Sequence, residues 1–254
     1  MNVSAVVISH GHAKELETSL PALAPQVDEL VVIANIPGSV PSALPEGTRV
    51  ITNDRVLSFA ANANLGAANT TGELVLIANP DATPEPGAVG ILRDFMESHP
   101  PCGVTGPQMR YSDGSWQPSR RSFPAIGSTI VRRTPLRLVF PPERYQRRHL
   151  LLDERPESPV LAETMLGAFL LLRRTMLEEI GGWDEGFRMY VEDIDLNYRA
   201  AKAGWEVWFV PQAVVKHEFA AVIDKGFFTR HNLWNARSML RFLRKHPERL
   251  RVLR

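Results

Sequence analysis

Glu73-Leu74-Val75-Leu76-Ile77-Ala78-Asn79-Pro80-Asp81-Ala82-Thr83-Pro84 is the stretch that decides the fold. Leu74 to Ala78 is a continuous apolar run without polar alternation. A strand apolar on both faces belongs in the middle of a sheet covered by helices. The run stops at Asn79-Pro80-Asp81, where proline has no N–H to offer a neighbouring strand. Asp81 is therefore expected at the carboxyl end of a central strand, the edge at which open α/β sheets bind ligands. A carboxylate there is costly unless it meets a cation or hydrogen-bond donors. Two roles fit: a divalent-metal ligand carrying a phosphorylated substrate, or a turn aspartate capping the helix near residue 85.

Working outward, Val3 to Ser9 is expected as a buried first strand, followed by the loop Ser9-His10-Gly11-His12 and a helix over Ala13 to Leu23. That loop has one glycine and lacks the G-x-G-x-x-G fingerprint of a dinucleotide dehydrogenase. Further strands are expected at Glu29 to Ala34, Arg49 to Thr52 and Gly103 to Gly106, with a proline-rich loop over Ile36 to Glu46. Phe59 to Asn69 is a helix of small residues, suited to close approach by a ligand or another element. Within it, Asn62 is either a ligand contact or a core amide. Pro86 to His99 is an amphipathic helix with a proline-rich start. The alternation predicts an α/β fold, a mostly parallel sheet with helices on both faces.

The character changes after Gly106. A hairpin is expected around Asp113-Gly114. Pro118 to Pro159 then carries seven prolines and many arginines, suited to a phosphate-bearing partner or to a solvated loop. Glu163 to Leu172 is expected as one strand, with Gly167 marking close approach of another group. A short helix over Thr175 to Ile180 stops at Gly181-Gly182. A helix from about Tyr190 to Ala203 follows, with Val191, Ile194, Tyr198 and Ala201 as its buried face. Its first turn holds Glu192, Asp193 and Asp195. Acids complement a helix N-terminus, but three in four residues repel one another and favour a cation or a catalytic task. Glu206 to Val210 and Ala213 to Lys216 are expected as two short strands leading to His217, a structural residue or a ligand. Phe227 to His246 closes the chain as a helix, and from Lys225 to Arg254 there are nine Lys or Arg and one Glu. This aromatic, basic helix would dock on the core or touch an anionic membrane surface.

Composition sets outer bounds. The 254 residues are 44% apolar, enough for a core, and the net charge of +1 does not mark a nucleic-acid binder. One cysteine, Cys102, excludes an internal disulfide and a cysteine-rich metal site. The N-terminal segment has no basic n-region or long h-region and is expected as a strand, not a signal peptide. The longest apolar run, Met165 to Leu172, falls short of the ~20 residues that span a bilayer.

In order along the chain stand the first strand with its loop, Phe59-Ala-Ala-Asn-Ala-Asn-Leu-Gly66, Asn79-Pro-Asp81 and Gly181-Gly-Trp-Asp-Glu-Gly-Phe-Arg-Met-Tyr-Val-Glu-Asp-Ile-Asp-Leu196. This ordered set resembles inverting glycosyltransferases of family 2, with the GT-A fold. It is most similar to the bacterial rhamnosyltransferase branch that builds cell-wall and O-antigen linkers. The resemblance covers nearly the whole chain and is weakest over 118–160. It implies a single GT-A domain over 1–224, with a nucleotide-sugar half (1–106) and an acceptor half (107–224), and a basic helix over 225–254. It implies Mg²⁺ or Mn²⁺ held by Asp81 and His217, and Asp193 as general base within the Glu192-Asp193 pair. Ser9, His10, Asn35, Asn62 and Asn79 would lie along the nucleotide sugar. The implied partners are a dTDP- or UDP-linked donor and a lipid-linked or polysaccharide acceptor. The implied place is the cytoplasm, with the C-terminal helix a candidate contact to the inner face of the membrane.

The chemistry asks for such groups independently. A leaving diphosphate gains charge that a metal can offset, and an attacking hydroxyl needs a carboxylate to take its proton. Two departures stand out. Ala34-Asn35-Ile36-Pro37-Gly38-Ser39-Val40 lacks both acids of the branch's Asp-Asn-x-Ser-x-Asp pattern, and Glu163-Thr164 replaces its Asp-Trp. The first bears on the base and donor, leaving a UDP-hexose enzyme or a non-catalytic sugar-nucleotide binder as alternatives. A haloacid-dehalogenase-type phosphohydrolase is disfavoured, since Ser9-His10 stands where its nucleophilic aspartate belongs.

Overall fold

The computed structural model describes residues 1–124, 143–218 and 229–249. The middle of the arginine-rich segment, residues 219–228 and the last five residues lie outside the described residues, and with them the expected helix start at Phe227. A ten-stranded sheet forms the centre. Its first block is β1 (Val3–Ser9), β2 (Glu29–Ala34), β3 (Arg49–Thr52) and β4 (Leu74–Ala78), ordered β3-β2-β1-β4 and parallel throughout. Every residue of β1 and β4 is buried, as the unbroken apolar runs require.

Beyond β4 the sheet becomes mixed. β5 (Ala82–Pro84), β6 (Cys102–Arg110), β7 (Trp116–Gln117), β8 (Arg120–Arg121), β9 (Val160–Leu161), β10 (Thr164–Met165), β11 (Phe169–Arg173) and β12 (Glu206–His217) complete the strands. β11 is antiparallel to both β4 and β6, and β12 runs parallel to β6. The expected hairpin is present: Tyr111 N–H donates to Ser115 O, Gly114 is left-handed at φ 81°, and β7 folds back on β6.

The helices are α1 (Ala13–Leu23), α2 (Phe59–Ala68), α3 (Ala88–Ser98), α4 (Glu143–His149), α5 (Arg174–Ile180), α6 (Glu192–Lys202) and α7 (Arg230–Lys245). One face of the sheet packs Val3, Ala5 and Val7 against Leu16 and Leu20 of α1 and Leu92 and Met96 of α3. The other packs Val6 and Ile8 against Ala60 and Ala63 of α2 and Leu196 and Ala200 of α6. The small residues of α2 serve a neighbouring element rather than a ligand: a Cβ on Gly66 would sit 2.2 Å from Val6 Cγ1.

Four sequence expectations are corrected. Glu163 to Leu172 is not one strand, because the chain leaves β10, which pairs with β8 in a separate two-stranded sheet, and turns at Gly167 before entering β11. The two short strands before His217 are one strand, β12, with a bulge between Val210 and Val214 that accommodates Pro211. α6 starts at Glu192, not Tyr190, because Tyr190 and Val191 are both left-handed, with φ 68° and 70°. Its most buried positions are Asp195, Leu196, Asn197 and Ala200, while Ala201 is exposed. Val191, Ile194 and Tyr198 do pack, but against Phe187 and against Met239, Phe242 and Leu243 of α7.

Candidate active site

The chain runs from β1 to β2 on one side and later returns to β4 on the other, so the sheet has its switch point between β1 and β4. The loops after those two strands open at the same edge. Ser9 Oγ donates to Ser39 O at 2.6 Å, and Ser39 Oγ accepts the N–H of Gly11 and of Ile36. This ties the 34–40 loop to the loop after β1. Asn35 Nδ2 contacts His10 Nδ1 at 3.2 Å and donates to Leu57 O, while its Oδ1 accepts from Leu57 N and Asn53 Nδ2. Asn53 Nδ2 also donates to Asn62 Oδ1, and Asn62 Nδ2 donates to Ser58 O. Asn62 has no exposed surface, so it is the core amide of the two readings and shapes the loop through Asn53 instead of facing a ligand.

Asn79 and Asp81 follow β4. The Asn79 N–H donates to Ala168 O at 2.8 Å. Asp81 Oδ1 lies 3.5 Å from His217 Nε2, at the end of β12, with side-chain exposures of 22% and 4%. Burial pushes the Asp81 carboxyl up from its ordinary value against the pull of His217 and His12, and burial pushes the His217 imidazole down against the pull of Asp81. His217 Nδ1 lies 3.0 Å from Gln117 Oε1, and Nε2 lies 3.5 Å from Asn79 Nδ2. An amide oxygen only accepts and an amide nitrogen only donates. Both contacts fit a proton on Nδ1, with the Nε2 lone pair accepting from Asn79 on the side where Asp81 Oδ1 lies 3.5 Å away. Asp81 Oδ1 and His217 Nε2 are the two acceptor atoms that a cation at this edge would take, the ion replacing the Asn79 contact to Nε2. Among the described residues no three His, Cys, Asp or Glu side chains gather as a metal cluster, so a cation there would take its other ligands from substrate or water.

The acidic helix start reaches the same edge. The Gly167 N–H donates to Asp193 Oδ2 at 3.1 Å, and a Cβ on Gly167 would meet Asp193 Cβ at 2.9 Å. The glycine expected to permit close approach does so, and what approaches is Asp193. Gly167 adjoins Ala168, whose carbonyl holds Asn79, so a short bonded path joins the Asp81 loop to Asp193. Glu192 is different. Its Oε2 is buried without a hydrogen-bond partner among the described residues. Burial and the neighbouring Asp193 push its carboxyl up to about 8, so at neutral pH it is mostly protonated.

Asp195 turns away from the sheet edge. It is fully buried, with Oδ2 accepting from Arg199 Nε and Lys245 Nζ and Oδ1 2.8 Å from His246 Nε2. Burial works against the Asp184 carboxyl, but hydrogen bonds from Arg241 and Lys245 outweigh it and hold the group below its ordinary range. Asn64 clamps the glycine-rich motif to α2: Oδ1 accepts from Trp183 N, and Nδ2 donates to Trp183 O and Glu185 Oε1.

Sequence reasoning missed Gln117, Asn53, Asn64 and Ser39. None carries a composition signal, since each acts through a partner distant in the chain. Cys102 is no nucleophile, its thiol pushed by burial to about 12. A concavity of ≈ 780 Å³ lined by Leu16, Pro21, Ala24, Pro41 and Leu44 holds none of these groups.

Comparison with known proteins bears on the family and the fold. A family model described as "Glycosyltransferase like family 2" matches residues 24–237. The N-acetylglucosaminyl-diphospho-decaprenol L-rhamnosyltransferase of Mycobacterium tuberculosis (strain H37Rv) is 33% identical over 244 residues, covering 86% of this chain and 76% of that one. Rhamnosyltransferase WbbL of Escherichia coli K12 is 32% identical over 92 residues, 35% of this chain and 34% of that one. Among solved structures, GalNAc-T7 with UDP, GalNAc and Mn²⁺ superposes with a TM-score of 0.69 at 15% identity, covering 96% of this chain and 48% of that one. A mannosyltransferase from Pyrobaculum calidifontis with GDP-Man and Mn²⁺ gives 0.59 at 16% identity, over 97% of this chain and 64% of that one. The chain thus spans about half of GalNAc-T7, and these two likenesses speak for the fold alone. On the family match and the mycobacterial relative, the chain belongs to glycosyltransferase family 2 and is rhamnosyltransferase-like.

Proposed function

We propose that the protein is an inverting, metal-assisted glycosyltransferase that moves a sugar, rhamnose from a dTDP donor being the first candidate, to a hydroxyl of a lipid-linked acceptor. The observation that carries this reading is the Asn79–Ala168–Gly167–Asp193 path, which brings the metal-side aspartate and the candidate base to one edge of the sheet. Asp193 takes the proton of the acceptor hydroxyl as that oxygen forms its bond to the anomeric carbon. The anomeric bond to the diphosphate breaks in the same displacement, leaving its electron pair on the diphosphate and inverting the centre. Glu192, kept neutral beside it, leaves one negative charge at the pair and so favours Asp193 as the proton acceptor. Asp81 and His217 fit a divalent ion, with Gln117 Oε1 beside Nδ1 favouring the tautomer whose Nε2 would ligate. Bound there, such an ion would supply charge compensation for the departing diphosphate. Ser9, His10 and Asn35 are the candidates for the nucleoside.

The mycobacterial relative's name states rhamnose transfer and a diphospho-decaprenol-linked N-acetylglucosamine, which supports both sugar and acceptor class. In this reading residues 1–106 serve the donor and 107–224 the acceptor, and the basic segment after them includes α7 (Arg230–Lys245). Among the described residues no helix is long and apolar enough to cross a membrane. The outer face of α7 exposes Leu233 and Leu240 and, on the same stripe, Arg237 and Arg244, which supports peripheral contact with the cytoplasmic face of an anionic membrane.

A calorimetric screen of dTDP-rhamnose, UDP-glucose and UDP-N-acetylglucosamine with Mn²⁺ tests the donor. Binding of one of them, with transfer abolished by EDTA and restored by Mn²⁺, is the expected outcome. Full transfer in EDTA would overturn the Asp81–His217 assignment, and binding of none would overturn the enzyme reading.

A further inference from the structure

A second group of charged and aromatic side chains joins the loop before α6 to the start of α7 and has no part in the reaction derived above. Arg188, in the loop before α6, places its guanidinium 4.7 Å from the Trp234 ring centre. Arg230, one turn earlier than Trp234 on α7, places its own 5.5 Å from the same ring. His231 packs edge-on to Trp234 and lies 2.8 Å from Tyr190 Oη through Nδ1. Tyr190 reaches it because its backbone is left-handed, and Val191 after it is left-handed too. A β-branched residue at positive φ costs about 1–2 kcal/mol, so the surroundings hold this turn in place.

Both arginines are exposed, and among the described residues neither has a carboxylate partner. The acids of this segment are committed elsewhere: Asp184 to Arg241 and Lys245, Glu185 to Asn64, Glu192 to a buried position. Two guanidinium groups on one indole bring two positive charges to a single exposed spot, which an anion would compensate. Planar, forked guanidinium groups on an aromatic plate are the chemistry that binds phosphate oxygens.

The position is informative. Arg188 precedes Asp193 by five residues, so the two are at most about 18 Å apart along the chain. In an acceptor whose sugar carries both the attacking hydroxyl and an anomeric diphosphate, the diphosphate lies one pyranose ring from the base. We infer that Arg188, Arg230 and Trp234 form the binding site for the diphosphate of a lipid-linked sugar acceptor, separate from the donor's diphosphate at Asp81 and His217. This rests on the proposed transfer to a diphosphate-linked acceptor.

The test uses the full chain in EDTA, which weakens the metal-dependent donor site, and a synthetic N-acetylglucosaminyl diphosphate with a decyl tail. Its affinity is measured by calorimetry beside that of the decyl glycoside lacking the diphosphate. Arg188→Ala and Arg230→Ala are expected to weaken the diphosphate ligand about ten-fold each, with Arg188→Lys recovering part of the loss. Arg93→Ala, at an exposed pair with Asp94, is the control and should change nothing. In the transfer assay the two variants raise KM for the diphosphate acceptor while donor affinity holds. Equal affinity of wild type and both variants for the diphosphate ligand overturns the assignment, and so does equal affinity of the wild type for the two ligands. Because this measurement needs no turnover, binding without transfer would overturn the proposed reaction and leave the site standing.

Discussion

The two sides of the sheet edge are built from different materials. On the donor side, Asn35, Asn53 and Asn62 interlock through neutral amides, and Ser9 and Ser39 add hydroxyls. Around α7, Asp184 of the loop before α6 and Asp195, Arg199, Arg241, Lys245 and His246 form a charged network. Neutral amides hold a loop without any charge change of their own as pH varies. The charged network fixes the helix that carries the base, and it does so through a buried carboxylate that only cations make tolerable.

Breaking that comparison begins with the base itself. Asp193→Asn should lower kcat by about 10³-fold with donor affinity unchanged, measured by steady-state transfer and calorimetry. Unchanged turnover would remove Asp193 from the chemistry. Asp195→Ala leaves Arg199, Lys245 and His246 around a missing counter-charge and should cost about 3 kcal/mol in urea unfolding. Asn62→Ala removes one of the two acceptors of Asn53 Nδ2 and the buried amide's own bonds, and should cost about 2 kcal/mol, equally at pH 6 and pH 8. A cost that varied with pH would dissolve the distinction between the two sides. The smallest effect is at Glu192. Its carboxyl, ordinarily at 4.5, is raised to about 8 in the folded state, so the native protein binds the extra proton across that window. Its contribution to stability is complete below pH 4.5 and is lost as pH rises through about 8, at a slope of about 1.4 kcal/mol per pH unit for one proton. Glu192→Gln should flatten that part of the pH–stability curve, and an unaltered slope would show that Glu192 is ionised in the fold.

Much of this was legible in the chain. Leu74 to Ala78 announced a doubly covered strand, and proline with aspartate announced its end. Gly167 announced a close approach, because a glycine inside an apolar run has few other reasons to be there. What escaped were boundaries and partners. The two left-handed residues before Glu192 are held by tertiary contacts that no propensity reveals. From the sequence, Glu206 to Val210 and Ala213 to Lys216 read as two strands, yet a bulge lets β12 continue through Pro211. Asn62 looked like a ligand contact because a polar residue among alanines stands out, but only the fold shows that Asn53 claims it.

Gln117 gives the last consequence. It sits on a two-residue strand paired with Met109, after the Tyr111–Ser115 turn. Side chains alternate along a strand, so inserting one residue in that surface turn would swing Gln117 to the opposite face. The imidazole of His217 would then lose the acceptor that pins its hydrogen to the far nitrogen. The length of a solvent-facing turn thereby bears on the hydrogen bonding of a ring at the far end of β12.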